Sequence, residues 1–478
     1  MINRLKIFAL MLFGASIISC SDVLDIEPVN SIPQSRAFES LDDIEQGIIG
    51  AYGIINEQIL IGVSSRASDD TRLSPENRGQ GVQIHSWTYV STNTEMENIW
   101  LNTYSTIAQI NRVLNGLNNL VNGGVISESE ASAPRGELLA LRAFMHFELF
   151  RAAGDYTSGG TAIPYITLQD LDGNGVPDGL ETFGQPVRQS TSDFYNLLFA
   201  DIDDAKSLVP ASFGLDNTSR MNYYAIRALE ARAGLYAQDY NRAISGATDV
   251  IDAVALADST EYRAIWTDEG NTEVLFELAR VSGDGRIGTL WQDTNGDVFF
   301  APSDEVISIY DPINDVRYPS FILIDGDRDG EPELVNKYPG KPALDKLNDI
   351  KIFRVSEMYL IRAEAYARSS TPDIAAANSD LQDIKDARLT NYIPSDINDV
   401  NALLDEILLE RRKELAFEGH RFFDLKRFGF AIDRLPTDCE LSSACELPAG
   451  NFRFNLPIPQ SEIFANDNMV QNDGYTSN

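Results

Sequence analysis

Residues 408–429 read LLERRKELAFEGHRFFDLKRFG, and the placement of charge in this stretch decides the fold. Leu404, Ile407 and Leu408 mark the apolar face of a helix spaced by three and four residues. Carrying that line forward lands on Arg411, Glu414 and Glu418, charged residues where a helix normally buries aliphatic ones. Burying carboxylates without partners costs several kcal/mol, so the pattern predicts a partly buried ion network. Arg411 and Arg421 are the expected partners of the two glutamates, Gly419 marks a turn, and Asp424 and Arg427 form a further pair. The functional alternative is a carboxylate pair for glycoside hydrolysis. The guanidiniums within helical reach favour the structural network.

Working outward, the same helical period runs through residues 40–58, 95–120, 128–153, 192–208, 221–237, 240–255, 352–369, 373–388 and 399–418. Two of these segments, 221–237 and 240–255, are separated only by Gln238 and Asp239. The run Asp239-Tyr240-x-x-Ala243 has the form of a second helix in a degenerate tetratricopeptide (TPR) unit. Between about 256 and 350 the texture changes to Gly, Asp, Pro and short apolar runs, such as Val274-Leu275-Phe276 and Phe321-Ile322-Leu323-Ile324, which read as short strands or extended loops. Further loop-rich stretches cover 60–92, 154–190 and 430–478.

The chain of 478 residues carries 38 Lys+Arg against 72 Asp+Glu, a formal net charge of −34. That balance repels phosphate backbones and anionic lipid surfaces, so nucleic-acid binding and basic membrane contact are excluded. Three histidines leave little scope for imidazole chemistry. At the N-terminus, Arg4 and Lys6 precede an apolar stretch from Ile7 to Ile18, too short to span a bilayer. It ends in Ile17-Ile18-Ser19-Cys20, a lipobox-like sequence that predicts cleavage of residues 1–19 and lipidation of Cys20. Residues 20–40 then form a tether and 41–478 a single domain. Loss of the two leader cations takes the charge from −34 to −36. Cys439 and Cys445 remain as an even pair, which either closes a small disulfide loop in an oxidising compartment or stays as two thiols.

The 408–429 segment closely resembles the C-terminal signature of the SusD/RagB family of outer-membrane lipoproteins. Gly136-Glu-Leu-Leu-Ala-Leu-Arg-Ala-Phe-Met-His-Phe-Glu-Leu-Phe150, the Trp100-x-x-x-Tyr104-x-x-Ile107-x-x-Ile110-Asn111-Arg112-x-Leu114 run, and Arg354-Val-Ser-Glu-Met-Tyr-Leu-Ile-Arg-Ala-Glu-Ala365 are similar to its helical motifs. Leu456-Pro-Ile-Pro-Gln-Ser-Glu-Ile463 with Gln471-Asn-Asp-Gly-Tyr475 resembles its tail, and Cys20 followed by Asp22-Val-Leu-Asp-Ile-Glu-Pro28 its start. The matches follow family order over essentially the whole mature chain. The resemblance implies a mainly α fold with four degenerate TPR-like helix pairs and loop-rich insertions carrying a ligand site. It further implies a non-enzymatic protein, lipid-anchored and exposed on the outer membrane, that captures oligo- or polysaccharide for a SusC-like TonB-dependent transporter. A peptide ligand, as in the RagB branch, and a surface glycosidase are the alternatives. The acidic surface points to a neutral glycan.

Aromatic rings and hydrogen-bonding side chains on loops are the natural sugar contacts. Trp291, in a Gly-rich loop, and Trp87 are the candidate platforms, whereas Trp100 and Trp266 read as core. Asp70, Asn77 and Arg78 are the candidate polar contacts. Two acidic loops read as calcium sites. Asp170-Leu-Asp172-Gly-Asn174-Gly-Val176-Pro-Asp178-Gly-Leu-Glu181 matches D-x-[DN]-x-[DN]-G-x5-E in full, with Val176 offering its carbonyl. Asp325-Gly-Asp327-Arg-Asp329-Gly330 repeats the start but reaches Asn336 at the twelfth position.

Overall fold

The computed structural model describes residues 37–169, 184–213 and 217–476. The leader, Cys20 and the first calcium-type loop, Asp170 to Glu181, lie outside the described residues. The scaffold is helical: α1 (Leu41–Ile54), α2 (Gln58–Ala67), α3 (Thr94–Asn122), α4 (Glu128–Ala153), α5 (Thr191–Leu208), α6 (Tyr223–Tyr236), α7 (Tyr240–Ile251), α8 (Val355–Arg368), α9 (Ile374–Arg388), α10 (Val400–Leu415) and α11 (Arg421–Phe428). Neighbours in sequence pack in space: α3 on α4, α4 on α5, α6 on α7, and α8 on both α9 and α7.

Local chemistry explains where these helices start. Ser127 and Glu130 form a reciprocal capping box on α4, and Ser190, Asn222, Asp239, Asp373 and Asp399 each accept a backbone N–H at the start of α5, α6, α7, α9 and α10. Small residues let helices approach closely. A side chain at Gly246 would place its Cβ 2.7 Å from the Arg227 carbonyl oxygen on the facing helix.

The sequence reading missed α2. Leu60 to Ser65 and Ala67 are all buried, so the segment has no polar side from which to read a helical period. Together α1 and α2 are apolar and long enough to span a bilayer by composition, with half of the window buried within the protein. The chain breaks between them at Ile55, Asn56 and Glu57.

Short strands form at the two apolar runs read as extended, 274–278 and 322–324, and also at 71–73, within a stretch read as loop, and at 350–354, where a helix was expected to begin. β1 (Thr71–Leu73), β2 (Val274–Leu278), β3 (Phe300–Pro302), β4 (Ile322–Ile324), β5 (Glu333–Val335) and β6 (Ile350–Arg354) pair antiparallel as β1–β3, β2–β6 and β4–β5. The β2–β6 ladder closes both ends of the loop-rich middle region onto α8. The largest apolar core cluster runs from Ile44 to Met469, with two smaller clusters, one around Ala363, Leu381 and Leu403 and one around Val298 and Leu334.

The ion network exists, with different partners from those expected. Glu414 is bound by Arg354 (2.8 Å), Arg388 (3.0 Å) and Arg317 (3.4 Å), and Glu418 by Arg354 (2.6 Å) and Lys337 (2.6 Å). Glu273 completes the cluster through Arg354 and Arg388. Arg411 instead pairs with Asp424 and Glu357, and Arg421 with Asp69. Asp424 and Arg427 pair as read from sequence, at 3.1 Å. Helical spacing finds partners on the same helix, whereas tertiary packing supplies them from β6, α9 and the middle loops. Burial drives the Glu414 carboxyl upward, but Arg388, Arg354 and Arg317 outweigh it and hold it well below the carboxylate range.

Candidate functional site

The β1–β3 ladder sets residues 74–81 beside 292–299, and the β4–β5 hairpin loop closes on both. Glu76 is the joint. One carboxylate oxygen accepts the Val298 N–H (2.6 Å), the other accepts the Glu331 N–H (3.2 Å), and Arg328 reaches the same group at 3.0 Å. Burial raises the Glu76 carboxyl, while the two backbone N–H groups and Arg328 lower it further, for a net fall. The side-chain N–H of Asn77 donates to the carbonyls of Phe299 and Gln80, both at 3.0 Å, and Arg78 pairs with Asp297. Beneath the face, Arg72 bridges Glu331 and Glu333. Three segments, the first more than 200 residues from the other two in sequence, thus form one fixed surface.

Of the sequence-selected contacts, this surface keeps two. Arg78 is exposed, with 63% of its side chain accessible, and Asn77 lies beside it. The other three are structural. Asp70 is buried and bound by the Arg412 guanidinium at 2.9 Å. Trp87 is buried, adopts φ +51°, donates its indole N–H to the Ala67 carbonyl at 2.8 Å and lies under Arg434. Trp291 is 2% exposed and stacks on Tyr338 with ring centres 5.6 Å apart and an angle of 5°. Glycines around Trp291 suggested an open loop, but they mark close packing: a Cβ at Gly288 would sit 2.6 Å from the Tyr338 carbonyl. The readings of Trp100 and Trp266 as core residues hold, since both are buried.

Sequence alone singles out neither Glu76 nor Arg328, and it reads Asp297 only as part of a weaker acidic loop that lacks the turn glycine. The signal was the repeated acidic turn Asp293-x-Asn295-x-Asp297, facing the only basic residue of the Asp325–Asp329 turn. In that second turn, the Asp325 carboxylate accepts the Asp327 N–H at 3.2 Å and its backbone pairs with Pro332. It is a hairpin turn, and among the described residues no three His, Cys, Asp or Glu side chains converge on a metal-sized site. Asp325, Asp327 and Asp329, read from sequence as a second calcium loop, therefore do not converge on one point in this hairpin. Cys439 and Cys445 are joined in a disulfide. Asp438, immediately before the bridged Cys439, lies at the start of the helix Asp304–Ser308, where its carboxylate accepts the Asp304 N–H at 2.6 Å.

Chemically, the face offers amides, the Thr294 hydroxyl and the exposed Arg78 guanidinium; the Glu76, Asp293, Asp297 and Asp325 carboxylates are engaged in ion pairs or turns, whereas Asp327 and Asp329 are exposed. Glu414 and Glu418, the pair considered for hydrolysis, lie in the core with every oxygen engaged by cations.

Two family profiles match the chain: one described as "SusD family" over residues 340–475, the other as "Starch-binding associating with outer membrane" over residues 22–235. The chain is 23% identical to SusD-like protein P38 of Formosa agariphila, covering 90% of this chain and 92% of that one. It is 27% identical to the starch-binding protein SusD of Bacteroides thetaiotaomicron over 42% of this chain and 32% of the relative. A crystal structure of a SusD superfamily protein from Bacteroides thetaiotaomicron superposes with a TM-score of 0.78 at 26% identity, covering 91% of this chain and 99% of the other. The two profiles, which match separate regions of the chain, and the near full-length likeness to these relatives place the chain in the SusD/RagB family.

Proposed function

We propose that the protein is a cell-surface lipoprotein of the outer membrane that captures a neutral oligo- or polysaccharide and passes it to a SusC-like TonB-dependent transporter, without cleaving it. One observation carries the binding step: the surface of residues 74–81, 292–299 and 325–331, locked through Glu76, presents exposed polar groups that need no ordering on binding. Family membership and relatives named for starch binding support the ligand class. The net charge of −34 favours a neutral glycan over an anionic one. A peptide ligand remains the second reading within the family.

Calcium at Asp170–Glu181 belongs to the same proposal, resting on the full match of its spacing. Native mass spectrometry during calcium titration is expected to show one bound ion. No bound ion removes the cation from the proposal.

Soluble protein lacking Cys20, run through gels containing neutral polysaccharides, is expected to be retarded by one of them with no product released. Released sugar would establish a glycosidase instead. Arg78→Ala is expected to weaken retention by several-fold while leaving the unfolding transition unchanged, because Arg78 is exposed.

A further inference from the structure

A second cleft opens elsewhere on the scaffold, and no residue of the loop face lines it. It lies between the loop after α4, the first two turns of α5 and the α6–α7 turn, with a volume of about 550 Å³, within the range of small-molecule sites. Tyr156, Tyr195, Phe199 and Tyr236 supply its aromatic walls. Tyr195 and Phe199 lie near-parallel, with ring centres 5.9 Å apart and an angle of 17°.

These rings are held in place. The Lys426 ammonium sits 3.9 Å from the Tyr156 ring centre while donating to the Arg151 and Gly154 carbonyls. The Arg242 guanidinium lies 4.5 Å from the Phe199 centre and is itself fixed by Asp203. Buried hydroxyls nearly always have a hydrogen-bond partner. The Tyr195 hydroxyl, closed off from solvent, has none among the described residues.

The rim is polar, with Asn196, Gln238 and Ser192 exposed. No Lys, Arg or His lines the cleft, and its one charged side chain is Asp239. Amides and hydroxyls around aromatic faces suit a ligand with alternating C–H and O–H surfaces. The absence of a lining cation disfavours carboxylated or sulfated ligands.

We propose that this cleft is a second binding site, for a neutral saccharide, contacted by Tyr195 and Phe199 through ring faces and by Asn196 and Gln238 through hydrogen bonds. The ligand class rests on the glycan-binding reading above; the location rests on the cleft alone.

The test is saturation-transfer NMR and calorimetry on the soluble full mature chain with maltohexaose, laminarihexaose, cellohexaose and mannohexaose. The variants are Asn196→Trp, which fills the cleft from an exposed position; Tyr195→Phe, which removes only the hydroxyl; and Arg78→Ala on the loop face. The expected result is a saccharide-binding event weakened at least about tenfold by Asn196→Trp with an unchanged unfolding midpoint, and changed by less than about twofold by Tyr195→Phe, which keeps the ring face and removes only a hydroxyl closed off from solvent. That event survives in Arg78→Ala. Saccharide binding that Asn196→Trp leaves at wild-type strength overturns the cleft and leaves the glycan reading standing. Absence of binding to every sugar overturns both.

Discussion

Glu414 shows how one side chain decides whether a charged core is stable. Its two oxygens meet three guanidiniums, so Glu414→Gln leaves Arg354, Arg388 and Arg317 short of negative charge in a dry environment. The expected loss is on the order of 3–5 kcal/mol, read as a lower denaturant midpoint. Glu57 behaves in the opposite sense. Burial, then the neighbouring Glu148 carboxylate, push its carboxyl up to about 8, from an ordinary 4.5. Below pH 4.5 the group is neutral in both folded and unfolded chains and its contribution is fully present. Between pH 4.5 and 8 the unfolded chain releases the proton while the folded chain keeps it, so stability falls as pH rises, by a few kcal/mol on the order given by that shift. Glu57→Gln should therefore gain on the wild type as pH rises from 5 to 8, as measured by paired urea titrations.

At the scale of the element, the contrast between two glycines tests whether helix packing or helix propensity dominates. Gly246 lies in α7 against backbone atoms of α6: its added methyl would meet the Arg227 oxygen at 2.7 Å and the Ala231 nitrogen at 3.0 Å. Backbone cannot step aside, so Gly246→Ala is expected to cost about 1–3 kcal/mol despite the roughly 1 kcal/mol it gains in helix propensity. Gly53 in α1 has nothing within 4 Å of the added carbon, and Gly53→Ala should raise stability by about 0.5–1 kcal/mol. Thermal unfolding of both variants settles the sign.

The long helices were legible because their periodic runs extend over a dozen residues or more, even in α4 and α6, which are buried over most of their length, and their observed bounds fall within a few residues of the periodic stretches. α2 was not legible because it is short, 10 residues, as well as almost wholly buried. The tryptophans misled for a related reason. Glycine-rich sequence signals either an open loop or a backbone pressed against another backbone, and Gly288 is the second kind. The cleft at Tyr195 and Phe199 assembles from three turns with no shared motif, so nothing local in the sequence marked it.

Over the whole molecule, the charge separates into two populations. One is buried and paired, as in the Glu273–Arg354–Arg388–Glu414 cluster; the other is exposed and accounts for solubility and the bias against anionic ligands. The disulfide adds a local constraint. A ring closed between residues six apart removes little entropy from the unfolded chain, about 2 kcal/mol. Replacing both Cys439 and Cys445 by Ser should lower stability by no more than that, and loosen the Asp304–Ser308 helix start that Asp438 caps. Hydrogen exchange at the Asp304 and Glu305 amides reads the second effect.

The buried cluster also constrains how the chain can be divided. Glu273 comes from the edge of β2, Arg317 and Lys337 from the middle region, Arg354 from the end of β6, Arg388 from the end of α9, Glu414 from the end of α10 and Glu418 from the turn after it. No contiguous half of the polypeptide holds both signs in balance. A fragment ending near residue 300 strands Glu273 without a cation, and the complementary fragment must enclose three arginines around Glu414 without it. The regions recognised by the two family profiles, 22–235 and 340–475, are joined by other buried pairs, Arg232 with Glu357, Arg412 with Asp70 and Arg421 with Asp69, so a protease nick in the middle loops should leave a non-covalent complex that unfolds in a single step.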